Sequence, residues 1–100
     1  MAVYIIASID ITDPEEYQEY ARQAGATVAQ YGGRYLARGS QIETIEGDWK
    51  PGRIALLEFP TAEQAWAWYN SPEYSAIRGI RQRASHSRLI LVHGLPEQPA

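Results

Sequence analysis

Three stretches of the chain are apolar on both parities. Residues Ala2 to Ile11 are interrupted only by Ser8 and Asp10, Ile54 to Phe59 only by Glu58, and Leu89 to Val92 not at all. Such runs predict strands buried on both sides. Between them lie segments of helical period. Tyr17, Tyr20, Ala21, Ala24 and Val28 form one apolar stripe, and Ala62, Ala65, Trp66 and Tyr69 form a second. Two helical segments cover one face of a small sheet and leave the other bare. A second copy of the chain is the simplest cover for that face.

The boundaries follow from turn and cap chemistry. Asp13-Pro14-Glu15-Glu16 opens a helix, with Asp13 as cap and Pro14 in the first turn, and Gly32-Gly33 closes it. A second strand spans about Arg34 to Arg38. Gln41 to Glu46 extend as an arm, and Gly47 to Gly52 form a turn-rich loop. After the strand Arg53 to Phe59, Thr61 and Gln64 make a second capping box. Ser71-Pro72 restarts the helix, which continues to about Ala84, and a last strand runs from about Arg88 to His93. The order is β-α-β-β-α-β, an α+β ferredoxin-like pattern. It implies an antiparallel sheet in the order 4-1-3-2 with both helices on one face. Residues 1–94 form a single domain and 95–100, with two prolines, a loose tail.

Composition narrows the function. The net charge of −3 gives no general attraction to nucleic acid or anionic membranes. The absence of cysteine removes disulfide and thiolate chemistry. No signal-peptide pattern opens the chain and no apolar run approaches the ~20 residues of a membrane helix, so a soluble, cytoplasmic protein is expected. No P-loop, dinucleotide fingerprint or Ser-His-Asp constellation is visible. His86 and His93 have an odd separation that puts them on opposite faces of one strand, so no metal site and no cofactor are expected.

Four motifs carry a resemblance: Tyr31-Gly32-Gly33-Arg34-Tyr35-Leu36-Ala37-Arg38-Gly39, Glu46-Gly47-Asp48-Trp49, Leu57-Glu58-Phe59-Pro60, and Trp68-Tyr69-Asn70-Ser71-Pro72-Glu73-Tyr74. In this combination and order the chain resembles an uncharacterised bacterial family, domain of unknown function 1330. The resemblance implies the dimeric α/β-barrel superfamily, in which two ferredoxin-like sheets pack face to face. It implies no particular reaction, because that superfamily includes cofactor-free monooxygenases, haem-degrading enzymes, lactone isomerases and non-catalytic stress proteins. Haem-degrading relatives use a helix histidine with Trp and Asn. The helix carrying Trp66, Trp68 and Asn70 has none, which disfavours haem.

Strand parity selects the candidate site. Tyr4, Ile6, Ser8 and Asp10 share a face, as do Ile54, Leu56 and Glu58. Taking Leu89, Leu91 and His93, and Arg34, Leu36 and Arg38, with them places Tyr4, Arg34, Glu58 and His93 toward one end of the dimer side. Asp10, Arg38 and Arg53 then lie toward the other end. Glu58 with His93 and Tyr4 is a candidate acid–base set, and Arg34, Asp10, Arg38, Trp49 and Trp68 are candidate ligand contacts. The alternatives are structural. Glu58 and Arg34 pair across adjacent strands, and His93 is a hydrogen-bonded interface residue. Trp66 and Tyr69 are core, with Trp68 off their stripe. Trp49 is buried as a lid or dimer anchor, or packs beneath its own loop. Arg78, Arg81, Arg83 and Arg88 either bind an anion or form a solvated face at a helix C-terminus. Two functions are expected from this pattern: a cofactor-free enzyme acting on a small organic molecule, or a non-catalytic ligand-binding or stress-associated homodimer.

Overall fold

The computed structural model describes residues 1–96. Its elements are β1 (Val3–Ile11), α1 (Pro14–Gln30), β2 (Arg34–Gly39), β3 (Arg53–Phe59), α2 (Ala62–Tyr69), α3 (Pro72–Ala84) and β4 (Ser85–His93). The strands form one antiparallel sheet in the order β2-β3-β1-β4. Of the expected tail, residues 97–100 lie outside the described residues. No helix among the described residues is long and apolar enough to cross a membrane.

Each helix begins at the cap its sequence provides. Asp13 Oδ1 accepts the Glu16 amide at 3.1 Å, Thr61 Oγ1 accepts the Gln64 amide at 3.1 Å, and Ser71 Oγ accepts the Tyr74 amide at 3.0 Å. Gly32, at φ 84°, turns the chain out of α1. Gly33 follows against the Phe59 ring, where a Cβ would come within 2.5 Å. Asn70 and Ser71 separate α2 from α3, so the expected single interrupted helix is two. At its far end α3 passes into β4 with no loop, and the last strand starts at Ser85 rather than at about Arg88.

The helices cover one face only. Val3, Ile5, Ala7 and Ile9 of β1 and Ala55, Leu57 and Phe59 of β3 are buried beneath them. Opposite these, Tyr4, Ile6, Ser8, Leu56 and Glu58 form an open face, as parity predicts. Two strands depart from the parity reading. In β4, Leu89 pairs with Ala7, Leu91 with Ile5 and His93 with Val3, so these three point to the helical side. Ile90 and Val92 face outward instead, 59% and 40% exposed. In β2 a bulge at Leu36 shifts the register between Tyr35 and Ala37. Arg34 keeps to the open face, but Arg38 pairs with Ala55 and is turned to the helical side.

The core joins sheet to helices through aromatic rings. Trp68 is 1% exposed and Trp66 56%, which reverses the expected assignment. Trp68 stacks 4.1 Å from Tyr74 and 5.5 Å from Phe59, and its indole N–H donates to Thr27 Oγ1 of α1 at 3.0 Å. The buried stripe is Ala65, Trp68, Ser71, Tyr74, Ile77, Arg81 and Ala84, continuous through the α2–α3 break. Trp68→Ala therefore lowers unfolding stability by about 3–5 kcal/mol. Trp66→Ala, at the surface, changes it by no more than about 0.5 kcal/mol. Urea denaturation of the two variants checks the assignment. Equal losses would contradict it.

Candidate functional site

The structure does not assemble the acid–base set drawn from parity. Glu58 and Tyr4 lie opposite each other on the open face, but His93 is on the helical side and exposed. Arg34 Nε donates to Glu58 Oε1 at 2.8 Å, so the carboxylate is engaged in a cross-strand ion pair whose arginine is 70% exposed. Asp10 accepts the Gly52 amide at 3.0 Å and pins the loop before β3 to the end of β1. Trp49, expected to be buried, is 59% exposed in the single chain and lies over Ile6 and Ile90 of the open face. His86 and His93 do fall on opposite faces. Among the described residues no group of three or more His, Asp or Glu is placed to hold a metal ion.

The polar chemistry of the interior lies instead between the sheet and the helices. Tyr17 and Tyr20 descend from α1, Tyr74 from α3, and Tyr35 rises from β2. The Tyr20 and Tyr74 hydroxyls are 2.8 Å apart. Three guanidiniums share this cleft. Arg38 lies 4.3 Å from the centroid of the Tyr35 ring, and Arg53 lies 5.8 Å from that of Tyr17. Arg81, 3% exposed, donates from Nε to the Tyr74 hydroxyl at 3.3 Å and from Nη1 to Ser87 Oγ. The Arg38 expected beside Asp10 thus belongs to a different group, because the Leu36 bulge turned it over. Arg81, expected either to bind an anion or to lie on a solvated face, is interior, because α3 presents Tyr74, Ile77 and Arg81 along its inner edge.

Two recesses open from this region along the edge strand β4. One, of about 210 Å³, is apolar and is lined by Ile5, Ala65, Trp66, Tyr69, Leu89 and Leu91, with Ile90 at the rim. The other, of about 640 Å³, is polar and shares Tyr69 and Leu89 with the first. Arg81 lies between it and the cleft, and Ser85, Ser87, Gln82, Arg88, His86 and Asp10 complete its walls. The apolar recess exists because β4 is an edge strand. Its inward residues Leu89 and Leu91 extend past the cover of α2, and Trp66 and Tyr69 wall the gap. No periodicity in Leu89 to Val92 signals that gap. The one sequence sign was a tryptophan, Trp66, on the exposed side of a short helix.

Burial holds the tyrosines in their neutral form. Loss of solvent pushes the pKa of Tyr20 strongly upward, and Tyr74 beside it adds to the effect. Tyr17 is also raised by burial, partly offset by Arg53, and Tyr35 by burial, partly offset by Arg38. A phenol whose folded pKa is raised contributes stability that is complete below its unfolded value of 10.0. That stability is lost as the pH climbs toward the folded pKa. The protein should therefore unfold above about pH 10, with Tyr17, Tyr20 and Tyr35 ionising only as it does so. Tyrosinate absorbance and circular dichroism, followed together, measure this. All seven tyrosines ionising near pH 10 with the fold intact would contradict it.

Comparison with known proteins agrees with this fold. The sequence profile described as Domain of unknown function (DUF1330) matches residues 2–95, so the chain belongs to that family. A protein of unknown function from Rhodopseudomonas palustris is 20% identical, with a TM-score of 0.77 over 96% of this chain and 84% of that one. SnoaB, a cofactor-independent oxygenase from Streptomyces nogalater, is 13% identical, with a TM-score of 0.68 over 99% and 98%. A putative antibiotic biosynthesis monooxygenase from Nitrosomonas europaea is 19% identical, with a TM-score of 0.65 over 96% and 100%. No curated protein matches the chain in sequence. At these identities the likeness is one of fold.

Proposed function

We propose that this member of the DUF1330 family takes up a small organic molecule on the helical side of its sheet and works as a homodimer. The observation that carries the first part is the apolar recess of about 210 Å³ beside β4, walled by Trp66, Tyr69 and Leu91 and sharing Tyr69 and Leu89 with a polar one. A flat, largely apolar molecule fits such a lining, with the polar recess to orient it. The open face supports the second part. It carries Ile90, Val92 and Leu36, with Ile6 and Leu56 between them and Trp49 at its margin. A sheet face of this composition is ordinarily covered, and a second copy would bury it isologously.

The likeness in fold to a cofactor-independent oxygenase supports turnover of the bound molecule rather than its storage. In that reading the expected Glu58–Arg34 pair belongs to the subunit interface, and the chemistry belongs to the recess. Dioxygen uptake with whichever compound binds, measured without added flavin, haem or metal, is the readout.

Two measurements test the proposal. Sedimentation at micromolar concentration should give a dimer, and Leu56→Glu, which places a charge at the middle of the open face, should give a folded monomer. A wild-type monomer would contradict the assembly. Thermal-shift screening of one- and two-ring aromatic compounds should yield binders. Trp66→Ala should weaken them by about tenfold, the scale of one lost aromatic contact of ~1.5 kcal/mol. Undiminished binding in Trp66→Ala would place the ligand elsewhere.

A further inference from the structure

The charges on the helical side of the sheet do not balance. The chain as a whole is acidic, at −3, yet the charged side chains lining the interior cleft are Arg38, Arg53 and Arg81, with no carboxylate among them. The acids that pair do so elsewhere: Glu19 with Arg22, Glu58 with Arg34 and Glu16 with Arg83. Arg38 and Arg53 rest on the rings of Tyr35 and Tyr17, which accept a cation on their faces and leave its charge uncancelled.

Arg81 is the most demanding of the three. It is 3% exposed and cannot shed its proton. Its hydrogen bonds go to hydroxyls, those of Tyr74 and Ser87. Among the described residues no carboxylate lies within 4.0 Å of it. A buried cation without a counter-charge is costly, and structures usually supply a partner. Arg81 lines both the cleft and the polar recess, and that recess shares Tyr69 and Leu89 with the apolar one. A molecule lying against Trp66, Tyr69 and Leu91 therefore has an unpaired guanidinium at its polar end. Arg88, which pairs with Ser8 on the open-face side of β4, also borders that recess. Asp10, also on its wall, is occupied by the Gly52 amide.

We propose that the ligand is an organic anion, its apolar body in the Trp66–Tyr69–Leu91 recess and its carboxylate on Arg81. The assignment rests on the small-molecule reading of that recess. A carboxylate matches the fork of a guanidinium and makes charge-assisted bonds to it. It also supplies the negative charge that the interior lacks.

The test is a matched panel of one- and two-ring aromatic carboxylates and their neutral amides, with affinities measured by calorimetry on the full chain. The carboxylates should bind at least tenfold more tightly than the amides. The preference should disappear in Arg81→Gln and persist in Arg22→Gln, whose guanidinium is on the surface. Circular dichroism establishes that Arg81→Gln is folded. If it is not, Arg38→Gln, at the cleft margin, should reduce the preference severalfold. Equal affinity for carboxylate and amide would overturn the anion assignment and leave the recess a small-molecule site. A preference that survives both Arg81→Gln and Arg38→Gln would overturn it as well. Binding of neither member of any pair would overturn the recess reading together with the anion.

Discussion

The fold turns on one constraint: a four-stranded sheet apolar on both faces, with helices enough to cover one. That cover is held in place where α1, α2 and α3 meet. There the Trp68 indole bonds to Thr27 across helices and the Tyr20 and Tyr74 hydroxyls touch. Both bonds are buried and join residues distant in sequence, so they fix the relative height of the helices in a way that greasy packing alone does not. The short junction from α3 into β4 then sets the last strand, because Ser85 must bond back to the Arg81 carbonyl as the chain turns. The Ala84 carbonyl likewise accepts the amides of Thr12 and Asp13, tying the start of α1 to the end of α3. What remains uncovered, the open face and the β4 edge, follows from where these fastenings place the helices.

The same arrangement determines the interior chemistry. Tyrosine suits a layer that is apolar but not dry, because its ring fills space and its hydroxyl finds a partner. Tyr17, Tyr20, Tyr35 and Tyr74 occupy that layer, and the first three are held neutral there. Burial disfavours their phenolates more than the nearby guanidiniums favour them. Hydroxyls such as those of Tyr74 and Ser87 solvate a guanidinium without discharging it. That is the physical reason Arg81 can sit under α3 with its charge intact and still available to a ligand group.

The fold was legible in the sequence, and the arrangement of the inward-facing side chains was not. Caps at Asp13, Thr61 and Ser71 and glycines at the end of α1 are local signals, and each produced the element it predicts. Parity worked for β1 and β3 because the polar residues that interrupt their apolar runs, Ser8, Asp10 and Glu58, all lie on one side. It failed for β4 because Leu89 to Val92 is apolar on both sides, so only pairing with β1 decides that Leu91 faces in and Ile90 out. It failed for Arg38 because a one-residue bulge at Leu36 reverses every later side chain in the strand. The α2 stripe was ambiguous for a similar reason. Trp66 with Tyr69 and Trp68 with Ser71 both have helical spacing, and the choice depends on how α2 meets Thr27 of α1. The arginine cleft arises from these three tertiary decisions together, so no single segment announces it.

An acidic protein with a cationic interior also differs from a basic one in what it selects. At physiological ionic strength a surface charge is screened over about 8 Å, so the net −3 weakly repels polyanions at a distance and is nearly silent inside a recess. The Arg81 guanidinium, 3% exposed, lies in a lower dielectric, where its attraction for a nearby carboxylate is several times stronger than in water. A molecule small enough to enter the recess meets the inner charge. The separation of the two fields, acidic outside and cationic within, therefore filters by size as well as by sign, and it depends on Arg81 being turned inward.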